Sequence, residues 1–66
     1  VRPLSLVAPV YNEEGSLEAL YARVREALGD ERPWELILVD DGSRDGSPEL
    51  IRKLAARDPR VYGIFF

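Results

Sequence analysis

Three short apolar runs, separated by two stretches of helical periodicity within 66 residues, leave this chain little choice of architecture. In the first run, Leu4 to Val10, Leu4, Leu6, Val7, Ala8 and Val10 are apolar, and Pro9 lies near the end, where a missing ladder donor is tolerated. From Glu14 or Ser16 to Leu28, the residues Leu17, Leu20, Tyr21, Val24 and Leu28 recur at steps of three and four. That spacing is one face of an amphipathic helix, and Gly29 supplies its stop. Trp34 to Val39 is nearly continuous in apolar residues, as expected of the central parallel strand of a sheet covered on both faces. Beyond it, Ser47 is placed to cap a second helix that opens with Pro48 and Glu49. Its buried stripe would be Leu50, Ile51, Leu54 and Ala55, and Asp58-Pro59 ends it. Arg60 to Phe66 then reads as a third strand. Strand, helix, strand, helix, strand with short connections predicts an α/β fold: parallel strands with right-handed crossovers, the βαβαβ half of a doubly wound sheet.

Size and composition narrow the chemistry. A domain of this length buries roughly 60% of the surface its unfolded chain exposes, so its core is marginal. Hydrophobic and charged contents of 45% and 32% are those of an ordinary globular sequence. The chain has no cysteine and no histidine. Disulfides, Cys/His zinc sites, thiol nucleophiles and Ser-His-Asp triads are thereby excluded within it, and any metal here would be a hard cation on oxygens. With nine basic residues scattered among twelve acidic ones and a net charge of -3, there is no basic stripe for a nucleic-acid backbone. No apolar run approaches the roughly 20 residues of a membrane span, and Val1-Arg2-Pro3 lacks the character of a signal peptide. The composition reads as cytoplasmic in character. The absence of an initiator Met and the ending inside Ile64-Phe65-Phe66 suggest that residues 1–66 are the N-terminal segment of something larger.

Function concentrates in two loops. The first strand runs into Tyr11-Asn12-Glu13-Glu14, and the second into Asp40-Asp41-Gly42-Ser43-Arg44-Asp45-Gly46-Ser47. Open α/β sheets bind ligands at the carboxyl ends of their strands, and parallel neighbours place both loops on one edge. Tyr11, Asn12, Glu13 and Asp41 would then surround one crevice with a flat aromatic surface and several acceptors. Such a crevice suits a nucleobase and ribose, whose N–H and O–H groups need acceptors and whose ring needs an apolar wall. It does not suit bare phosphate, because Arg44 is the one basic residue in these loops. Neither the G-x-G-x-x-G nor the G-x-x-x-x-G-K-[ST] pattern is present. A calcium loop counted from Asp41 fails at its twelfth position, which is Arg52 where a bidentate Glu is required.

Together, Leu6-Val7-Ala8-Pro9-Val10-Tyr11-Asn12-Glu13-Glu14 and Leu38-Val39-Asp40-Asp41-Gly42-Ser43-Arg44-Asp45-Gly46-Ser47 resemble the start of a family 2 glycosyltransferase of GT-A fold. The type is the polyprenyl-phosphate glycosyltransferase, similar to dolichol-phosphate mannose synthase. The resemblance implies that the segment is the nucleotide-binding half of that fold, with Pro9, Tyr11 and Glu13 lining the pocket from the first loop. Val39 and Asp41 would line it from the second, Asp41 bonding to base or ribose. It implies a nucleotide-diphosphate sugar as donor and a lipid-linked acceptor such as a polyprenyl phosphate, at the cytoplasmic face of a membrane. It also implies a divalent metal, Mg or Mn, whose Asp-x-Asp ligands and whose catalytic partners fall outside this segment. No catalytic or metal-binding residue is therefore assigned within it.

Several residues have plainer readings. Gly42 and Gly46 supply turn freedom, Asp45 or Ser47 caps the second helix, Asp40 accepts from nearby backbone N–H groups, and Asn12 caps the first helix. Trp34, Tyr62, Phe65 and Phe66 read as core aromatics, or as aromatics left uncovered. Glu18, Arg23, Arg25, Glu26, Arg52, Lys53 and Arg57 read as solvated helix faces. Two other functions compete. One is a receiver-like regulatory module with Mg on an acidic pair, although such modules carry that pair after the first strand. The other is a non-catalytic assembly unit, forming homo-oligomers through an exposed third-strand edge.

Overall fold

The computed structural model describes residues 3–66; Val1 and Arg2, part of the start weighed above as a targeting signal, lie outside the described residues. The elements are β1 (Leu4–Val10), α1 (Glu14–Leu28), β2 (Trp34–Asp40), α2 (Ser47–Arg57) and β3 (Val61–Phe65). The strands form one parallel sheet in the order β1-β2-β3, with β2 central as its apolar run predicts. Register runs from Leu4 opposite Trp34 to Val10 opposite Asp40, and from Leu36 opposite Val61 to Asp40 opposite Phe65.

Both crossovers step the same way across the sheet, and with a single hand this sets both helices on the same face. Burial along β2 alternates accordingly: Trp34, Leu36, Leu38 and Asp40 are buried and the residues between them are half-buried. Leu36 and Leu38 pack with Leu17, Tyr21 and Val24 of α1 and with Ile51 and Leu54 of α2. The stripe Leu17, Tyr21 and Val24 is what the three- and four-residue spacing selects. Ile51 and Leu54 are fully buried, each contributing about 1.5–3 kcal/mol by transfer from water. The expectation that β2 is covered on both faces does not hold within this chain. Its second face is only half-buried, and Val7, Tyr62 and Ile64 of the flanking strands are exposed beside it, because neither helix can reach that side.

The connections are anchored. Gly29 ends α1 at φ +63°, its N–H donates to the Arg25 carbonyl, and its own carbonyl accepts the Trp34 indole N–H at 2.8 Å. At the foot of β3 the buried Asp58 accepts the Tyr21 hydroxyl at 2.6 Å and the Arg60 guanidinium from Nε and Nη2 at 3.0 Å each. Arg60 also lies 4.0 Å over the Trp34 ring. One carboxylate thus ties α1 to the α2–β3 corner and to the first residue of β2.

Candidate functional site

Because β1 and β2 run in parallel and in register, their carboxyl ends meet. Val10 pairs with Asp40, and the ladder continues one rung further, the Asp41 N–H donating to the Val10 carbonyl at 3.1 Å. Tyr11 and Asp41 therefore leave adjacent strand ends side by side, next to the paired Pro9 and Val39. Strand alternation sends Val10 and Asp40 under the helices, so Pro9 and Val39 belong to the helix-free face. Tyr11 is 56% exposed and Asp41 is exposed as well, so a phenol and a carboxylate stand open on one rim.

What holds this rim is a set of bonds from the second loop to the start of α1. The helix begins after Glu13 with no side-chain cap from its own segment. Donors at and just before that start are met across the gap: the Asn12 N–H by Ser43 Oγ at 2.9 Å, the Glu13 N–H by Ser47 Oγ at 2.9 Å, and the Glu14 N–H by Asp45 Oδ2 at 3.2 Å. One bond runs the other way, from the Arg44 N–H to Asn12 Oδ1 at 2.8 Å. Asp45 also accepts the Ser47 N–H through Oδ1 at 2.9 Å, so it serves the start of α2, as the loop chemistry suggests, and that of α1 as well. The buried Ser47 hydroxyl, expected to cap its own helix, serves the other one. Asn12 likewise does not cap its own helix; it takes a left-handed backbone at φ +51° and bonds to the opposite loop.

These bonds decide what the corner can bind. In dinucleotide folds the first helix start receives phosphate through its free N–H groups and positive dipole end. Here protein acceptors already take the Glu13 and Glu14 N–H groups of that start, the Asp45 carboxylate among them. Partial burial opposes the Asp45 charge, but hydrogen bonds from Ser47 and Glu14 outweigh it and hold the carboxyl below its ordinary value. The surrounding Glu13, Glu14, Asp40 and Asp41 add negative charge, against Arg44 alone. The rim thus sets acceptors beside an aromatic ring, an environment that favours hydrogen-bond donors over an anion.

The remaining sequence candidates take definite places. Asp40 is structural as expected: it is 2% exposed and Oδ1 accepts the Ser43 N–H at 2.7 Å, while Oδ2 has no hydrogen-bond partner among the described residues. Glu13 is bound by its backbone to Ser47, and its carboxylate lies 3.5 Å from the Ser16 hydroxyl, on the helix side of the rim. Among the described residues no group of three or more acidic side chains is placed to hold a metal ion. Sequence reasoning missed the Tyr21–Asp58–Arg60 cluster, which borders a cleft of about 450 Å³ at the opposite end of the strands, with Arg25 and Arg57 beside it. The available signal was the phenol of Tyr21 on an apolar helix face, which needs a partner when buried. The Arg60 bonds, in spite of burial, hold the Asp58 carboxyl well below the usual range.

Comparison with known proteins identifies the family. The profile described as Glycosyl transferase family 2 matches residues 5–66. An undecaprenyl-phosphate 4-deoxy-4-formamido-L-arabinose transferase of Aeromonas hydrophila is 54% identical over 57 residues, which are 85% of this chain and 18% of that protein. Its namesake in Pectobacterium carotovorum is 52% identical over 63 residues, 94% of this chain and 19% of the relative. A Bacillus subtilis protein named uncharacterized glycosyltransferase YkcC is 43% identical over 63 residues, 94% of this chain and 20% of the relative. The chain thus spans about a fifth of the length of these relatives. No solved structure matches. With the family profile covering both loops and all five elements, the chain belongs to glycosyl transferase family 2.

Proposed function

We propose that the protein carrying this chain is a glycosyltransferase that moves a sugar from a nucleotide-diphosphate donor to a polyprenyl phosphate, and that this chain supplies the recognition of the nucleoside. The observation that carries the reading is the side-by-side exit of Tyr11 and Asp41 at the edge shared by β1 and β2. In this reading the base lies along the Tyr11 ring and the Pro9/Val39 floor, and the Asp41 carboxylate accepts from base N–H or ribose O–H. Glu13 borders the same pocket from the start of α1. The chain's contribution to rate is orientation: it holds one end of the donor so that the anomeric carbon is presented to residues outside the chain. The diphosphate is held beyond this segment, by a divalent cation on ligands elsewhere in the protein, in keeping with the acceptors that take the Glu13 and Glu14 N–H groups at the α1 start.

The undecaprenyl-phosphate named in two of the relatives supports a lipid-linked acceptor and so action at a membrane surface, which this reading places on the cytoplasmic face. No helix among the described residues is long and apolar enough to cross a bilayer. Isothermal titration of the full-length protein with uridine and guanosine diphosphates, with and without manganese, tests the pocket. Asp41→Ala is expected to weaken the preferred nucleotide about 10- to 100-fold, the value of a charge-assisted hydrogen bond. Unchanged affinity in a folded Asp41→Ala protein would refute the assignment. Self-association through β3 is a second reading, favoured by the exposed Tyr62, Ile64, Phe65 and Phe66. A concentration-dependent mass in solution supports it, and a constant monomer mass refutes it.

A further inference from the structure

We propose that Asn12 is a positioning residue of the nucleoside site, fixing Tyr11 against Asp41 without itself touching the ligand. The inference rests on the nucleotide-site reading above and concerns a residue to which that reading gives no role. Three observations meet at this side chain. Its backbone is left-handed, at φ +51°, a conformation that Asn tolerates better than other residues with a Cβ. Its N–H donates to Ser43 Oγ at 2.9 Å, and its Oδ1 accepts the Arg44 N–H at 2.8 Å. The third is the Asp41 N–H bond to the Val10 carbonyl at 3.1 Å, which pins the other end of the same two segments.

These bonds close a ring. Val10, Tyr11 and Asn12 form one side, and Asp41, Gly42, Ser43 and Arg44 form the other. Tyr11 is the residue held between the two anchors on the first side, and Asp41 lies at the matching anchor on the second. The Ser43 N–H bond to Asp40 Oδ1 at 2.7 Å stiffens the second side, where Gly42 turns at φ +80°. With the ring intact, the phenol and carboxylate stand in their binding arrangement before any ligand arrives, and the ordering cost of two loops is not charged to binding. Residue choice at position 12 is constrained twice, because the position needs both tolerance of positive φ and an acceptor one carbon beyond Cβ. Gly meets the first need alone, Ala meets neither, and Asp meets both.

That gradation gives the test. Uridine diphosphate and guanosine diphosphate are titrated calorimetrically into the full-length protein, native and with Asn12→Gly, Asn12→Ala or Asn12→Asp, in salt high enough to screen the added charge of the last. Asn12→Gly is then repeated in an Asp41→Ala background, with thermal unfolding recorded for each variant. Expected are a loss of about tenfold in nucleotide affinity for Gly and Ala, and near-native affinity for Asp. In the Asp41→Ala background, Asn12→Gly should weaken binding less than about twofold, because the pairing of phenol and carboxylate that it fixes is already broken. Native affinity in folded Asn12→Gly, or a full additive loss on top of Asp41→Ala, would overturn the inference while leaving the nucleotide site standing. Should Asn12→Ala fail to fold, Gly and Asp carry the same comparison. If Asp41→Ala alone has no effect, the nucleotide-site reading fails and the positioning role falls with it.

Discussion

Replacing Asp58 by Ala removes the acceptor for four bonds at once: from the Tyr21 hydroxyl at 2.6 Å, from Arg60 Nε and Nη2 at 3.0 Å, and from the Arg60 backbone N–H at 3.0 Å. The orphaned groups differ in cost. Tyr21 is 7% exposed, so its hydroxyl cannot readily turn to water, and leaving it unpaired costs about 1–3 kcal/mol. The Arg60 side chain is 30% exposed and keeps both Asp30 at 3.0 Å and the Trp34 face. Its loss therefore falls below the range for a fully buried ion pair, at about 1–2 kcal/mol. The sum is about 3 kcal/mol, against a total stability of about 5 kcal/mol for a domain this small. Urea unfolding of the chain, followed by the fluorescence of Trp34, its one tryptophan, reads the change directly. With a slope of about 1 kcal/mol per molar urea, the midpoint should fall by about 3 M, leaving about 2 kcal/mol of stability and a variant that is still mostly folded without urea. Tyr21→Phe, which leaves the Arg60 bonds in place, should lose only about 1–2 kcal/mol. A loss below about 1 kcal/mol for Asp58→Ala would refute the view that this carboxylate joins the helices to the sheet.

Gly63→Ala should cost about 1–3 kcal/mol, because a Cβ there would come within 2.6 Å of Ile51 Cγ2 and Ile51 is fully buried; an unchanged urea midpoint would contradict this packing. Acid should destabilise the chain through Asp58 and Asp45, whose carboxyls are held below their ordinary values in the folded state. For groups shifted in this direction the stabilisation is present above an unfolded pKa of about 4 and is lost as pH falls through the folded values. Stability measured from pH 7 downward should therefore be level to about pH 5 and then decline, and Asp58→Asn should flatten that decline. The Asp58 hydrogen bond, aided by burial, raises the Tyr21 pKa above 10.0. A second loss of stability should accordingly begin as pH rises past about 10, and Tyr21→Phe should remove it.

Much of the fold was legible because the two hydrophobic periods do not overlap in this sequence. Leu17, Tyr21 and Val24 can share a side only in a helix, and Leu36 and Leu38 sit in a run too short for one. The carboxyl-edge corner was legible for a topological reason: once β1 and β2 are parallel neighbours, Tyr11 and Asp41 have to emerge together. Coverage of β2 was misjudged because an apolar strand reports burial without saying which elements supply it. The cross-loop bonds were also hidden. Ser47 and Asn12 carry strong local capping signals, and nothing in a linear sequence shows that an acceptor faces the opposite helix start 34 residues away, as Ser47 does toward Glu13. Asp58 was readable as a helix end, but its pairing with Tyr21, 37 residues distant, is purely tertiary.

The most direct measurement is a crystal structure of the full-length protein with uridine diphosphate or guanosine diphosphate bound. The base should lie along Tyr11 beside Pro9 and Val39, with the Asp41 carboxylate accepting from base or ribose and no phosphate at the α1 start. A base seated elsewhere, for instance in the cleft beside Tyr21 and Asp58 at the far end of the strands, with Asp41 left in solvent, would contradict the assignment.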